Sequence, residues 1–174
     1  LGEPQASAPG MTVHLSDDLG WVASFGFEEA LRVGVDTALR GLQTLGLTAE
    51  LLSGDRATAV QSLGRRLGID AARGGMTPAD KLAHVRRLQA QGHRVVMVGD
   101  GLNDGPVLAR ADASVALGDA APLARAQADV LIPGGQIDRL PLLVAQARRT
   151  RRVIRHNLWW AAAYNAVSIP LAMA

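Results

Sequence analysis

The chain has 174 residues, 48% of them apolar but only 3% aromatic, which is enough for one α/β domain with a core of Ala, Leu and Val. A net charge of +2 is too small to call for a nucleic-acid partner. The absence of cysteine excludes disulfides, zinc–cysteine sites and thiol catalysis within the chain.

Residues 1–10 are rich in Gly, Pro, Ser and Ala and read as loop. Residues 11–15 and 21–27 are β-prone runs on either side of Ser16-Asp17-Asp18-Leu19-Gly20, which predicts a hairpin. From Glu28 the pattern becomes helical: Leu39, Leu42 and Leu45 recur at helical spacing and Gly46 ends the helix. A strand over 47–52, a helix over 57–67 closed by Gly68, and a helix opened by Thr77-Pro78 and closed by Gly92 follow. Residues 94–98 are a strongly β-prone run, too continuous for a half-exposed strand. Two further strands, over 112–117 and 129–132, flank another helix. Strands alternating with helices imply βαβ units and a parallel sheet.

Residues 157–174 carry no charge and follow Arg148, Arg149, Arg151, Arg152 and Arg155. A helix of that length spans about 27 Å, against roughly 30 Å of bilayer hydrocarbon. An arginine at mid-membrane costs about 2.5–3.5 kcal/mol, so the arginines are expected on the cytoplasmic side as a stalk, with Trp159 and Trp160 at the interface. The competing reading is a buried hairpin helix of a soluble protein. Both chain ends read as internal to something longer.

Ligands of open parallel sheets gather at the carboxyl ends of strands, which singles out two loops. Gly99-Asp100-Gly101-Leu102-Asn103-Asp104 offers a hard carboxylate at Asp100, suited to Mg²⁺, with Asp104 as a further ligand or a supporting acceptor. Ser53-Gly54-Asp55 offers a hydroxyl and backbone N–H groups at a helix start, a cradle for phosphate. Lys81, the sole lysine, lies one turn into the helix from Pro78 and could neutralise charge developing during transfer. Each has an ordinary alternative: an Asp- and Gly-rich turn, an N-cap and an exposed helix lysine.

Taken in order, hydroxyl-Gly-Asp, lysine and Gly-Asp-x-x-x-Asp resemble the second, third and fourth motifs of the haloacid-dehalogenase superfamily. The first motif, a strand ending in a nucleophilic aspartate, has no counterpart here. Asp80-Lys81-Leu82 sits at a helix start and lacks the Thr-Gly that should follow. The chain alone is therefore expected not to turn over.

From about Trp21 onward the sequence resembles heavy-metal P-type ATPases. Phe27-Glu28-Glu29-Ala30-Leu31-Arg32 is similar to their Asp-x-Leu-Arg, with Glu29 in the aspartate slot, and Thr77-Pro78-Ala79-Asp80-Lys81 to their Pro-x-x-Lys. The stretch 99–108 is similar to Gly-Asp-Gly-x-Asn-Asp-x-Pro-x-Leu. Asn157, Tyr164-Asn165 and Pro170 resemble the copper(I)-transporting members, and Ser53 with residues 107–111 resembles those serving cbb-type cytochrome oxidase assembly.

The resemblance implies a haloacid-dehalogenase-like parallel sheet followed by a stalk and the start of a transmembrane helix. Residues 1–27 would end a nucleotide-binding domain, 28–145 would form the phosphorylation domain, and 146–174 the stalk and membrane helix. ATP would phosphorylate an aspartate outside this chain. Asp100 would hold Mg²⁺, Ser53, Gly54, Asp55 and Lys81 would handle the phosphoryl group, and Asn103 and Asp104 would support the site. Tyr164 and Asn165 would help bind transported Cu(I), although a phenol and an amide are poor ligands for it without sulfur from elsewhere. Implied surroundings are a bacterial inner membrane, residues 1–155 in the cytoplasm, and a copper chaperone or target as partner. The rival readings are a soluble phosphatase of the same superfamily and a non-catalytic anchored interaction module.

Overall fold

The structure is a computed structural model that describes residues 11–18, 20–27, 31–99, 104–118 and 128–173. The expected hairpin forms from β1 (Met11–Asp17) and β2 (Gly20–Phe27), antiparallel with Val13 opposite Phe25 and an irregularity between Leu15 and Ser16. The period of 2 gathers Val13, Leu15 and Phe25 on one face of the ribbon, and each is about half exposed.

Helix α1 (Val35–Thr44) starts after Gly34, whose φ of 90° no β-carbon favours, and ends at Leu45 and Gly46. Strand β3 (Glu50–Leu52) leads into α2 (Ala57–Leu67), which Gly68 closes in the left-handed region. Next comes β4 (Ala71–Arg73), parallel to β3 with Leu51 opposite Ala72. No run of branched or aromatic residues announces β4 in the sequence. Its place is made by packing: a β-carbon on Gly64 of α2 would lie 2.5 Å from the Ala72 β-carbon, so helix and strand touch at a glycine.

Helix α3 (Pro78–Ala90) and strand β5 (Val96–Gly99) follow, then α4 (Gly105–Arg110) and β6 (Ala113–Leu117). Strand β7 (Val130–Ile132) completes a parallel sheet in the order β5-β6-β7. The helix expected between the last two strands falls on residues outside those described. Val96 is 47% exposed, so the β-prone run over 94–98 is not fully covered as its continuity suggests.

Alternation along β6 sends its side chains to two faces. Ala116 meets Leu108 of α4, with Met97 and Ala128 beside them. Val115 and Leu117 meet Ile132 and Leu140, backed by Leu42, Val98 and Leu143. Helices thus cover both faces of β5-β6-β7. Among the described residues β3 pairs only with β4, and β5 only with β6 in a separate sheet, so β3 and β5 each have one edge that no described strand pairs.

Helix α3 joins the two sheets through polar side chains. His84, only 5% exposed, lies 2.6 Å from Glu50 Oε2 through Nε2, and its Nδ1 meets the Arg87 guanidinium. A guanidinium only donates, so Nδ1 accepts and Nε2–H donates to Glu50. At its other end α3 reaches Asp112: Gln89 Nε2 donates to Asp112 Oδ2 at 2.9 Å, and the Val95 N–H donates to the same oxygen at 3.0 Å.

After two 3-10 turns, Pro133–Gly135 and Ile137–Arg139, helix α5 (Leu140–Met173) runs without interruption. At 1.5 Å per residue its 34 residues reach about 51 Å. Its first turns are seated on α1: a β-carbon on Gly41 would lie 2.6 Å from Pro141 Cγ, and Arg148 Nη1 donates to the Leu45 carbonyl at 2.7 Å. Beyond Arg148 the helix is exposed, including Leu158, Trp159, Trp160, Tyr164 and Leu171. The sequence expects a membrane helix to begin at residue 157. The uncharged stretch from residue 157 continues the helix of the arginine run without a break, and no helix among the described residues is long and apolar enough to cross a membrane. The run of Ala161, Ala162, Ala163 and Ala166, interrupted by Tyr164 and Asn165, adds little hydrophobicity per residue.

His84→Ala should lower unfolding stability by about 2 kcal/mol, because it strands Glu50 and Arg87 without their shared partner. Urea denaturation of wild type and variant measures this; His84→Gln, which can still donate to Glu50, should lose less.

Candidate active site

The site grows from the loop after β3 and the first turns of α3 and α4. Ser53 Oγ donates to Asp55 Oδ2 at 2.6 Å, while the Asp55 N–H donates back to Ser53 Oγ at 3.2 Å. Neither residue caps α2: its N-cap is Arg56, which makes no side-chain capping bond. The hydroxyl and carboxylate of this loop therefore serve each other rather than the helix, and the N-cap explanation of Ser53 and Asp55 does not hold. Gly54 sits between them, and a β-carbon there would come within 3.5 Å of the Met76 carbonyl oxygen.

The neighbouring segment leads directly into α3. The Ser53 N–H donates to the Arg73 carbonyl at 3.0 Å and the Met76 N–H to the Ser53 carbonyl at 3.0 Å. One residue later Thr77 caps α3. The Asp80 N–H donates to Thr77 Oγ1 at 3.2 Å, and the Thr77 N–H donates to Asp80 Oδ2 at 3.0 Å, a reciprocal capping box with Pro78 in the first turn. The Thr77 hydroxyl also donates to Asp80 Oδ2 at 2.6 Å, and these bonds hold the Asp80 carboxyl below its ordinary value. Asp80 is thus occupied in a cap, as its place at a helix start implies, and is not a nucleophile awaiting phosphate.

The cap fixes the start of α3 and with it Lys81. Its ammonium lies 2.9 Å from Asp104 Oδ1, with side-chain exposures of 12% and 15%. Asp104 is the N-cap residue of α4, which begins at Gly105 and Pro106. The other carboxylate oxygen faces the end of β5, since a β-carbon on Gly99 would sit 3.1 Å from Asp104 Oδ2. A side chain at Gly99 would enter the space that this oxygen occupies.

The structure therefore unites Lys81 with Asp104, and sets Ser53, Gly54 and Asp55 against the segment that starts α3. Asp100, Gly101 and Asn103 lie outside the described residues, as does Glu29. Tyr164 and Asn165 lie on the exposed part of α5, away from this cluster; Tyr164 is 70% exposed. Among the described residues no group of three or more His, Asp or Glu could hold a metal ion. The pairing of Lys81 with Asp104 is not legible in the sequence, since a separation of 23 residues carries no periodic signal. The close approach of Gly74 to the Ser53 loop is not legible in the sequence for the same reason, though the Gly74-Gly75 pair marks a turn.

The profile of the haloacid dehalogenase-like hydrolase family matches residues 7–112, and the chain belongs to that family. Within it, the chain is similar to metal-transporting ATPases. It is 40% identical over 169 residues to the nitrogen fixation protein FixI of Rhizobium leguminosarum bv. viciae, across 97% of this chain and 22% of that protein. It is 35% identical over 144 residues to a copper-exporting P-type ATPase of Staphylococcus haemolyticus (strain JCSC1435), across 83% of this chain and 18% of that protein. It superposes on a zinc-transporting PIB-type ATPase in the E2.Pi state with a TM-score of 0.79 and 28% identity, over 94% of this chain and 27% of that one. The chain spans about a fifth of the length of the curated relatives it matches.

Asp80 and Asp112 both have folded-state values below the ordinary 3.8. For Asp112 the chief cause is the Val95 N–H, then the Gln89 amide. A carboxyl lowered on folding binds fewer protons in the folded state, so its contribution is complete above the ordinary value and fades as pH falls through the folded one. Asp112→Asn should therefore lower the melting temperature at pH 7, and the gap to wild type should narrow as pH falls below about 4. Thermal melts across that range measure the narrowing.

Proposed function

We propose that this chain is the phosphoryl- and magnesium-handling segment of an ATP-driven heavy-metal transporter with Cu(I) as its cargo. The observation that carries the reading is the Lys81–Asp104 pair at 2.9 Å, set at the start of the helix that leads away from the Ser53 loop. Phosphoryl transfer spreads charge over three equatorial oxygens, so a site catalyses it mainly by position and electrostatics. Lys81 is largely shielded from water, where its charge acts at less than full dielectric screening. In the resting arrangement Asp104 neutralises it. An arriving phosphoryl group would compete for that ammonium and for the Ser53 hydroxyl, now committed to Asp55.

Mg²⁺ fits this donor set because two carboxylates, Asp100 and Asp104, stand four residues apart on a loop closed by glycines, and Asp104 Oδ2 is not the oxygen bonded to Lys81. When bound, the ion would draw charge from the phosphoryl oxygens. Asp100 would hold it, with Asn103 supporting the loop. The phosphorylated aspartate would belong to a strand elsewhere in the protein. The edges of β3 and β5 that no described strand pairs support this reading, since a parallel strand docked on either edge would end beside Ser53 or Gly99.

Residues 1–27 would then close a nucleotide-binding domain, 28–145 form the phosphorylation domain, and 146–174 the stalk and membrane approach. The boundary at 145 and 146 lies inside α5, which makes that helix the mechanical link. Residues 1–155 would lie in the cytoplasm beside a bacterial inner membrane, and Tyr164 and Asn165 would complete a metal site whose sulfur ligands lie on other helices. A copper chaperone or target would be the partner. Likeness to FixI supports the subgroup that serves cbb-type oxidase assembly.

A soluble phosphatase of the same superfamily is the second reading, and the family match over residues 7–112 accommodates it. The copper-exporting and zinc-transporting relatives weigh against it. Membrane fractionation of the tagged full-length protein separates the two, and a fully soluble product would leave only the phosphatase.

In the full-length protein Asp100→Asn should cut Mg²⁺-dependent phosphoenzyme formation by at least about a hundredfold, measured with labelled ATP. Cu(I) should stimulate turnover. Stimulation by Zn²⁺ alone would remove copper as the cargo.

A further inference from the structure

We infer that the strap formed by Arg73, Gly74, Gly75 and Met76 sets the geometry of the phosphate-binding loop, and that Gly74 is a positioning residue for Ser53. The inference rests on the reading of Ser53 as a phosphoryl ligand. Strands β3 and β4 pair from Glu50 to Leu52 and from Ala71 to Arg73. The ladder does not stop where the strands do. The Ser53 N–H donates to the Arg73 carbonyl at 3.0 Å, the Met76 N–H to the Ser53 carbonyl at 3.0 Å, and the Gly75 N–H to the Asp55 carbonyl at 2.6 Å. Both backbone hydrogen-bonding groups of Ser53 are thus held by one neighbouring segment, leaving its side chain as the group free to change partner.

Gly74 is what lets that segment come close enough. A β-carbon there would lie 2.6 Å from Ala57 Cα, 2.7 Å from the Asp55 carbonyl oxygen and 2.9 Å from the Ala57 nitrogen. All three are backbone atoms of the loop or of the first residue of α2, so no rotamer change relieves the contact. The requirement is for space, because Gly74 is not among the glycines with positive φ. Its neighbour Gly75 has the opposite need: φ is 67° and nothing lies within 4 Å of its would-be β-carbon. A methyl group at Gly74 must push the strap away, lengthen the Gly75–Asp55 bond and turn Ser53 out of register with the start of α2. Misplacements of this size cost a binding group much of its effect without removing it.

The test is a double-mutant cycle on the full-length protein, titrating inorganic phosphate calorimetrically with Mg²⁺ present. Ser53→Ala should weaken phosphate affinity, and Gly74→Ala should weaken it on the order of tenfold. The double variant should be no weaker than Ser53→Ala alone, because Gly74 acts through that hydroxyl. Gly68→Ala is the control. It strains the left-handed end of α2, where nothing lies within 4 Å, so it should lower the melting temperature while leaving phosphate affinity within twofold. Multiplying losses in the double variant, or wild-type affinity in Gly74→Ala, would overturn the inference. No effect of Ser53→Ala would overturn the reading of Ser53 and the inference with it. Should Gly74→Ala fail to fold, hydrogen exchange on the wild-type protein decides: saturating phosphate should slow exchange across residues 74–76, and unchanged exchange there counts against the strap.

Discussion

A parallel sheet in two pieces needs something to hold the pieces together, and α3 does so through side chains rather than backbone pairing. His84 holds Glu50 on β3, Gln89 holds Asp112 before β6, and Lys81 holds Asp104 at the start of α4. Each contact joins residues more than twenty positions apart. Hydrogen bonds to charged groups contribute more than neutral ones and lose more when one partner is removed. The candidate site depends on this brace, because the turn that carries Lys81 is fixed by the Thr77–Asp80 cap and the Ser53 loop is tied to the residues just before it.

The second constraint is size. A chain with 3% aromatic residues cannot fill wide gaps between layers, so its elements approach closely. Gly64 touches Ala72, Gly41 touches Pro141, and Gly74 touches the Ala57 backbone. The same economy leaves the core shallow around the β5-β6-β7 sheet, where Leu108 and Ala116 on one face and Val115, Leu117, Ile132 and Leu140 on the other form the buried clusters. Movement of α1 would pass to α5 through Gly41, Pro141 and the Arg148 bond to the Leu45 carbonyl. Arg148 is thus tied to the end of α1, while the arginines after it lie on exposed helix.

Much of the scaffold was legible in the sequence because its signals are local. The hairpin at residues 11–27, the glycine ends of α1 and α2, the Thr77-Pro78 start of α3 and the loop after β3 all follow from periodicity, caps and turn chemistry. Strand β4 was not, since Ala71, Ala72 and Arg73 carry no β preference and owe their conformation to β3 and Gly64. The arginine run over 148–155 and the uncharged run over 157–174 were legible as composition. Backbone hydrogen bonding does not register a change in hydrophobicity, so one helix runs through both as far as Met173.

The sequence by itself determined which residue types the chain offers to a site: a hydroxyl-Gly-Asp and a Gly-Asp-x-x-x-Asp run after strands, and a lone lysine at a helix start. Those chemistries are local properties of the chain. Only the tertiary structure decided that Lys81 faces Asp104, that Ser53 is engaged with Asp55 rather than capping α2, and that Gly74 backs the loop. These are contacts made across the fold, fixed by how closely small side chains let the layers meet.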